Sequence, residues 1–464
     1  MPPSLTQRDL AVLWHPCGQM QDYHEFPPLE IRSASGGWLT LTDGRRVFDA
    51  ISSWWCKSLG HGHPRLREAL IAQSTQFEHV ILANTTNEPV VQFSERLLSA
   101  ANGLPPNTWG SSAPLGRQAG HFGKVFFADN GSTAVEVAMK MAVQAQAQRG
   151  RPQRTRFAAF THGYHGETVG ALSVGDCGLY KDTFKSLLFP CTMLGPLPYR
   201  CGDLDPLWFD ASAEWPAIQA QLHRITDDLA AIIYEPLLQG AGGMLLYSPD
   251  LLRRLRAWAN AHHVLLIADE IAAGMGRCGA ILASHHAGLD VLPDIAVLSK
   301  GLTGGFLPFA TVLTTDAIYD TFLGDWASSR AFLHSNTYAG HALGVAVGLA
   351  SLNAYAEEDV LNQVARNGPL LRQGLKQLAQ QQPHYHNVRG LGMMAAVDLR
   401  RADGSPLNPA NRTGWHVYRA AVERGALLRP LGDTLYLFPP LNTTPNEIAH
   451  ALQALDDSVR AVLS

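Results

Sequence analysis

Two apolar segments in the middle of the chain each run directly into a charged residue. Residues 264–268 (VLLIA) precede Asp269, and residues 295–299 (IAVLS) precede Lys300. Short apolar runs of this kind are typical of buried parallel strands, and ligands of open α/β sheets bind at the carboxyl ends of such strands. We therefore expect Asp269 and Lys300 to face one cleft.

The surrounding segments alternate between strand-like and helix-like patterns, which is typical of an α/β domain with a mostly parallel central sheet. The predicted strands cover residues 124–128, 156–160, 229–235, 263–269, 294–299 and 308–313. The predicted helices between them include residues 133–148 and 249–261. Residues 102–118 are rich in Pro, Gly and Ser and are predicted to form a loop.

The rhythm changes after about residue 355, which indicates a second, smaller α+β domain. The elements predicted there are helices at 339–356 and 359–381, a strand at 388–399, a helix at 413–424, a strand at 434–438 and a helix from residue 444. Near the N terminus, residues 37–47 predict a hairpin with Asp43-Gly44 at its turn, which we expect to pack on the smaller domain. We assign residues 52–357 to the large domain, and residues 1–51 and 358–464 to the small one.

The composition excludes several classes of protein. A net charge of −4 gives no basic surface for nucleic acid, and no apolar run reaches the roughly 18 residues that a membrane span needs. Residues 1–13 lack the basic and apolar regions of a signal peptide. Six scattered cysteines without a Cys-x-x-Cys pair are typical of a reducing compartment. We therefore expect a soluble, cytoplasmic protein with no nucleic-acid or membrane partner.

The chain has nineteen histidines, and several of them occur as close pairs. The pairs are His61 and His63, His262 and His263, His285 and His286, and His384 and His386. None has the helical i, i+4 spacing with a nearby acidic residue that zinc sites favour. We expect no metal site and interpret these pairs as surface or capping residues.

A strand-to-helix junction at residues 129–133 (DNGST) is a candidate anion site. Free N–H groups and the helix dipole attract anions at such a junction. Gly131 permits a close approach, and Ser132 adds a hydroxyl donor. The alternative is an ordinary helix cap, which is the commoner role of serine at this position. With a lysine and an aspartate expected in the same cleft, we favour a phosphate site.

Asp269 and Lys300 could form a structural ion pair, but both charges are costly to bury unless chemistry uses them. Pyridoxal phosphate (PLP) requires such residues: a lysine that binds it covalently, and a carboxylate that keeps its pyridine nitrogen protonated. A competing pattern, GMGRCG at residues 274–279, matches the dinucleotide fingerprint G-x-G-x-x-G. Four residues separate it from Asp269, and no acidic residue lies at a strand end about 20 residues past the glycines. We therefore discount a nicotinamide cofactor.

Three further motifs carry groups suited to ligand binding. Residues 162–166 (HGYHG) place Tyr164 between glycines, where its ring could stack on an aromatic cofactor. Residues 52–55 (SSWW) pair two indoles, of which we interpret one as structural and the other as pocket lining. Arg429, held between apolar residues, suits bidentate capture of a carboxylate. Taken alone, each of these residues also has an ordinary packing or surface interpretation.

Together these motifs resemble those of the class III PLP-dependent aminotransferases, over about residues 15–440. The strongest marks are DEI at 269–271, the glycine pattern at 274–279 and LSKGLTGG at 298–305. The resemblance implies an α/β fold of PLP-dependent fold type I, with a large domain built on a mostly parallel sheet and a smaller α+β domain. It also implies a homodimer with active sites shared between subunits.

Within the class, the pattern is most similar to the members that aminate 8-amino-7-oxononanoate in biotin biosynthesis. The SSWW motif is the most specific mark, and these members usually take the amino group from S-adenosylmethionine. Cys17 stands where they often carry an aromatic residue, so lysine, which a variant of the enzyme uses, stays open as the donor. Another class III transaminase, acting on an ω-amino acid, ornithine or a semialdehyde, also stays open, as does a non-enzymatic protein of this fold.

The resemblance implies three catalytic residues, which are Lys300, Asp269 and Tyr164. Lys300 would bind PLP and serve as the base, Asp269 would pair with the ring nitrogen, and Tyr164 would stack on the ring opposite Ile271. The phosphate would be held by Gly131, Ser132 and, from the partner subunit, Thr337. The substrate would be bound by Trp54, Tyr164, Lys300, Ser335 and Arg429, with Arg429 on the carboxylate of the oxononanoate.

Overall fold

The computed structural model describes residues 3–109 and 121–463. Its helices are, in chain order, α1 (Leu5–Val12), α2 (Asp22–Glu25), α3 (Ser52–Trp55), α4 (Pro64–Ser74), α5 (Glu88–Ala101), α6 (Gly131–Gln148), α7 (Val169–Ser173), α8 (Leu179–Asp182), α9 (Trp215–His223), α10 (Pro249–His262), α11 (Asp316–Tyr319), α12 (Ala342–Glu357), α13 (Val360–Gln381), α14 (Thr413–Glu423) and α15 (Pro445–Leu463). Its strands are β1 (Ile31–Ser35), β2 (Trp38–Leu41), β3 (Arg46–Asp49), β4 (Lys124–Ala128), β5 (Arg156–Phe160), β6 (Thr192–Leu194), β7 (Tyr199–Arg200), β8 (Leu229–Tyr234), β9 (Leu238–Gln239), β10 (Leu245–Tyr247), β11 (Leu265–Asp269), β12 (Ile295–Leu298), β13 (Ala310–Thr314), β14 (Tyr385–Leu391), β15 (Met394–Leu399), β16 (Ala426–Leu427) and β17 (Thr434–Leu437).

The central sheet has the strand order β4-β13-β12-β11-β8-β5-β6. Strand β13 runs antiparallel to β12 and β4, and the other neighbours are parallel. All six predicted strands lie in this sheet, within two residues of their expected bounds. The sheet is covered on both faces, because Ile232 and Leu266 pack with α10 while Ile233 and Ile267 pack with α6. Successive residues of a strand point to opposite faces, so this division explains why β8, β11 and β12 are apolar apart from Asp269 at the end of β11.

The N-terminal hairpin is confirmed and is completed by the C-terminal part of the chain. Strands β2 and β3 pair antiparallel, and Gly44 in the connecting turn has a φ of +91°, which favours glycine. Strand β3 also pairs in parallel with β16, with Asp49 opposite Leu427. The strands β14, β15 and β17 form a separate three-stranded sheet. The domain boundaries at 51/52 and 357/358 stay a prediction.

Residues 388–399 form parts of two strands, so the prediction of one strand there was wrong. Strands β14 and β15 pair antiparallel through a turn at Gly392, whose φ is +55°. A Cβ at Gly392 would lie 2.2 Å from the carbonyl oxygen of Arg277, so the turn needs glycine. Met393 and Met394 are buried, and their apolar character hides the turn in the sequence.

Part of the predicted loop at 102–118 lies outside the described residues. Within residues 3–109 and 121–463, no helix is long and apolar enough to cross a membrane. In the same ranges, no group of three or more His, Cys, Asp or Glu side chains is placed to hold a metal ion. His63 is the N-cap residue of α4, and it is buried with its Nε2 3.2 Å from Glu358 Oε2.

Candidate active site

A cavity of ≈ 970 Å³ opens at the carboxyl ends of the central strands. Asp269 is the last residue of β11, and its partner in the neighbouring parallel strand β12 is Val297, three residues before Lys300. This register brings both charges to one cavity, as the sequence predicts. The cavity is lined by eight of the predicted site residues, namely Trp54, Gly131, Ser132, Tyr164, Asp269, Ile271, Lys300 and Arg429.

The Asp269 carboxylate is buried and held in a fixed orientation. Its Oδ1 accepts a hydrogen bond from the Ile271 N–H at 3.1 Å, and its Oδ2 lies 2.8 Å from His165 Nδ1. The side chains of His165 and Asp269 are only 0% and 4% exposed. If the Asp269 carboxylate accepts this bond, His165 Nδ1 is the donor. His165 is a site residue that the sequence reasoning missed, although it lies in the HGYHG motif.

Lys300 projects into the cavity beside an indole ring. Its Nζ lies 4.5 Å from the centre of the Trp55 ring, so both tryptophans of the SSWW motif face the cavity. Among the described residues, no carboxylate comes within 4.0 Å of Nζ, which excludes the structural ion pair with Asp269. Burial lowers the pKa of Lys300, while the charges of Asp269 and Glu235 oppose that shift. A lysine amine whose pKa is lowered is more readily neutral, as a nucleophile or base must be.

Glu235 is a second buried carboxylate at the cavity wall. It accepts hydrogen bonds from the N–H groups of Tyr164 and Gly240, each at 3.0 Å. Burial raises the pKa of Glu235 to about 7, and the neighbouring charge of Asp269 acts in the same direction. The sequence contains Glu235 at the end of a predicted strand, but nothing local indicated that its side chain would hold the Tyr164 backbone.

The strand-to-helix junction at the start of α6 has the features of a phosphate cradle. Asn130 caps the helix through the Thr133 N–H, and within the described residues no group accepts from the N–H of Gly131 or Ser132. A Cβ on Gly131 would lie 2.7 Å from Ile271 Cδ1, and one on Gly166 would lie 2.3 Å from Ser132 Oγ. The cradle therefore needs glycine at Gly166, whose φ is also +122°, and its free N–H donors fit the phosphate of PLP.

Tyr164 contributes its ring to the cavity wall, and its hydroxyl donates to Glu167 Oε1 at 3.0 Å. Burial raises the pKa of Tyr164 well above the ordinary value, so its hydroxyl keeps its proton. Ile271 stands across the same cavity, next to Gly131. A planar ring held between Tyr164 and Ile271 would meet one aromatic and one aliphatic surface, which fits the pyridine ring of PLP.

The other end of the cavity carries Trp54 and Arg429. The Arg429 guanidinium carbon lies 4.5 Å from the centre of the Trp54 ring, and Nη2 donates to the Cys17 carbonyl oxygen at 3.4 Å. No described carboxylate lies within 4.0 Å of this guanidinium, so it is free to bind one from a ligand. Tyr180, which the sequence reasoning missed, lies beside Cys17, and burial together with that contact raises the pKa of Tyr180 to about 12.

The backbone at Ser52–Trp55 adopts a rare conformation. The φ angle is +51° at Ser52, +44° at Ser53, +69° at Trp54 and +71° at Trp55. A left-handed backbone costs about 1–2 kcal/mol per residue for residues other than glycine. Strain of this size is found at functional sites, where surrounding contacts maintain it.

Two predicted site residues do not line the cavity of a single chain. Ser335 and Thr337 lie in the segment before α12 and outside the cavity wall. Thr337 is expected in the cavity of a partner subunit, and its role and that of Ser335 stay predictions. The nicotinamide alternative is wrong on structural grounds, because residues 274–279 form turns and open no helix.

The fold and this site together define a class of protein. A family model described as Aminotransferase class-III matches residues 19–459, and the chain belongs to this family. It is a PLP-dependent transaminase, since the family and its PLP-bound solved members share this cofactor.

Several relatives carry one particular name. The adenosylmethionine-8-amino-7-oxononanoate aminotransferase of Geobacter sulfurreducens is 38% identical over 468 residues, which cover 99% of this chain and 98% of the relative. The protein of the same name from Synechococcus elongatus is 40% identical, covering 96% of this chain and 97% of the relative. These relatives are named for one reaction, which guides the proposal below.

The solved structures agree on the fold. The crystal structure of the enzyme of that name from Methanocaldococcus jannaschii is 31% identical, covers 99% of both chains and has a TM-score of 0.88. An amine transaminase from an uncultivated Pseudomonas species, solved with PLP bound, is 32% identical, covers 97% of this chain and 99% of its own, and has a TM-score of 0.83.

Proposed function

We propose that this transaminase converts 8-amino-7-oxononanoate to 7,8-diaminononanoate in biotin biosynthesis, with S-adenosylmethionine as the amino donor. The observation that carries the proposal is the guanidinium of Arg429, which lies on Trp54 in the same cavity as the PLP-binding residues and has no carboxylate partner among the described residues. The acceptor is a methylene chain with a ketone near one end and a carboxylate at the other. An aromatic-walled cavity with one distal cation complements that shape.

PLP, when bound, supplies an electron-accepting ring that stabilises negative charge at the substrate carbon. Asp269 would hold the ring nitrogen in its protonated form, because a close negative charge favours the cation by about 1–3 pKa units. The neutral Nζ of Lys300 would take the proton from the Cα of the donor and return one to the acceptor carbon. The N–H groups of Gly131 and Ser132 would fix the phosphate, so the ring cannot shift while the proton moves.

The choice of donor depends on the aromatic groups around the cavity. Cys17 offers no ring, but Tyr180 stands beside it and Trp54 and Tyr164 lie in the same wall. Aromatic faces attract a sulfonium by about 0.5–2 kcal/mol. We therefore favour S-adenosylmethionine, and we keep lysine as the alternative donor.

A second candidate is an amine or ω-amino acid transaminase, because structures of such enzymes share the fold at 32% and 27% identity. Arg429 on Trp54 favours the oxononanoate over simple amines, which have no carboxylate for it to bind. An ω-amino acid does carry a carboxylate, so that substrate class is separated from the oxononanoate by the experiment below. The two candidates predict different acceptors, which makes them separable by experiment.

The test is a pair of single-turnover reactions on the PLP-loaded enzyme. S-adenosylmethionine should bleach the cofactor absorbance, and 8-amino-7-oxononanoate should then restore it with release of 7,8-diaminononanoate. Bleaching by lysine and not by S-adenosylmethionine would contradict S-adenosylmethionine as the amino donor. Restoration by pyruvate or a semialdehyde but not by the oxononanoate would favour the second candidate.

The homodimer with shared sites belongs to the same proposal. Large apolar side chains are exposed in the segment around Thr337, with Trp326 at 85%, Leu333 at 79% and Tyr338 at 60%, and a second subunit would cover them. Hybrids of Lys300→Ala and Thr337→Ala subunits should regain activity, because one of their two sites would contain neither lesion. Hybrids no more active than either parent would contradict sharing. The cytoplasmic location rests on the six free cysteines.

A further inference from the structure

The four left-handed residues at Ser52–Trp55 include two side chains that face the cavity, Trp54 and Trp55. None of the four is glycine, so at each one the Cβ crowds the following carbonyl oxygen. Such a backbone persists only where its surroundings determine it. The contacts that hold this turn therefore also determine where Trp54 and Trp55 lie.

Asp49 makes the most direct side-chain contacts with the Ser52–Trp55 turn. It is 0% exposed, and its Oδ1 accepts from the Ser53 N–H at 3.0 Å. Its Oδ2 accepts from the Ser53 hydroxyl at 2.7 Å and lies 2.8 Å from His61 Nε2. One buried carboxylate thus ties a left-handed residue by both its backbone and its side chain.

The strand that ends at Asp49 also lies beside the strand that leads to Arg429. Asp49 is paired with Leu427 in the parallel strands β3 and β16, and Arg429 follows two residues later. Because the strands are parallel, the segments that leave them emerge at the same edge. Trp54 then lies 4.5 Å from the Arg429 guanidinium, and Trp55 lies 4.5 Å from Lys300 Nζ.

We propose that Asp49 is a positioning residue that maintains the left-handed Ser52–Trp55 turn and so aligns Trp54 with Arg429 for the acceptor. Asp49 does not line the cavity, and it acts through the backbone of Ser53. The inference rests on the proposed function, because it takes the acceptor carboxylate to bind at Arg429.

The test compares Asp49→Ala, Ser53→Gly and the double variant, each as the PLP-loaded enzyme. Misplacing a binding group has large kinetic effects, so Asp49→Ala should raise the KM for 8-amino-7-oxononanoate at least about tenfold. The kcat and the cofactor occupancy, read from absorbance, should change much less. Glycine adopts a positive φ without crowding. The double variant should therefore reverse at least half of the increase in log KM that Asp49→Ala causes.

Asp456→Ala is the matched control, because Asp456 is a buried aspartate of α15 that bonds Arg460 away from the cavity. It should keep the wild-type KM. A wild-type KM in Asp49→Ala would overturn the proposal, and so would a raised KM that Ser53→Gly fails to recover. If Asp49→Ala does not fold, Asp49→Asn takes its place in the single and double variants, and the same outcomes apply.

The acceptor KM of Arg429→Ala distinguishes a failure of the proposed function from a failure of the proposal about Asp49. A wild-type KM for the acceptor in Arg429→Ala contradicts the proposed function itself. A raised KM in Arg429→Ala together with a wild-type KM in Asp49→Ala contradicts only the positioning role of Asp49.

Discussion

The two ends of the cavity differ in how they are built. We call Asp269, His165, Glu235 and Lys300 the floor, and Cys17, Trp54, Tyr180 and Arg429 the mouth. The floor residues follow strands of the central sheet, and the side chains of His165 and Asp269 are 0% and 4% exposed. The mouth residues come from short elements and turns, and Trp54 and Tyr180 are 41% and 45% exposed.

This difference indicates a division of labour. A strand end inside a packed sheet fixes a side chain closely, which the shared cofactor chemistry needs in both half-reactions. Short segments between elements can vary without disturbing the sheet, which suits the choice of substrate. Changes in the floor should therefore affect both half-reactions or the whole fold, whereas changes in the mouth should affect one substrate.

The largest effect is expected from Lys300→Ala, which removes the proposed base from the floor. A positioned proton-transfer group contributes about 10²–10⁴-fold to rate, so both half-reactions should slow by at least about a hundredfold. The measurement is single-turnover absorbance with donor and with acceptor. Borohydride should attach PLP to the peptide containing Lys300 in the wild type and not in the variant. Lys124→Ala, an exposed lysine near Asp316, is the control. If Lys300→Ala slowed only one half-reaction, the proposal that floor residues serve both half-reactions would be wrong.

The second prediction concerns the stability that Glu235 gives to the floor at different pH values. Its pKa of about 7 lies above the ordinary 4.5, so its contribution is fully present below pH 4.5 and is lost as pH rises through 7. In that window, the free energy of unfolding of the wild type should fall relative to Glu235→Gln by about 1.4 kcal/mol per pH unit.

Urea unfolding of both PLP-loaded proteins at pH 5 and pH 8 measures this difference, which should reach about 3 kcal/mol between the two limits. Glu423→Gln, which replaces a glutamate 65% exposed beside Arg45, is the control and should show no such window. If the free energies of unfolding of the wild type and Glu235→Gln changed in parallel with pH, burial would not raise the pKa of Glu235.

The sequence predicts the placement of Asp269 and Lys300 better than the long-range contacts of either end, and the reason is physical. The apolar runs before Asp269 and Lys300 identify two strands, and adjacent parallel strands must bring their ends together. The bond between His165 and Asp269 joins residues 104 positions apart, and the contact of Arg429 with Trp54 depends on the pairing of β3 with β16. No local pattern encodes such contacts, so His165, Tyr180 and the left-handed turn were not predictable.

The third prediction tests the mouth at its charged group. Removing one partner of a hydrogen-bonded charge pair costs roughly 2–5 kcal/mol, so Arg429→Ala should weaken the acceptor half-reaction at least about tenfold. The donor half-reaction should change much less, unless the same guanidinium also binds the donor carboxylate. Arg429→Lys should restore only part of the loss, because an ammonium lacks the planar fork. Arg412→Ala, which breaks an ion pair with Asp22 outside the cavity, is the control. Wild-type acceptor kinetics in Arg429→Ala would remove it from the site.

The smallest effect is expected from the aromatic ring of Tyr180. It lies beside Cys17 and is half exposed. A cation–π contact at an exposed position is worth about 0.5–1 kcal/mol, so Tyr180→Ala should raise the KM for S-adenosylmethionine about two- to fivefold. The acceptor KM should stay unchanged, and Tyr180→Phe, which keeps the ring, should behave like the wild type. Adding Cys17→Phe to Tyr180→Ala should restore donor binding, because the new ring would occupy the neighbouring position. If none of these changes alters the KM for S-adenosylmethionine, Tyr180 is not an aromatic partner of the sulfonium at the mouth, and this support for S-adenosylmethionine over lysine is lost.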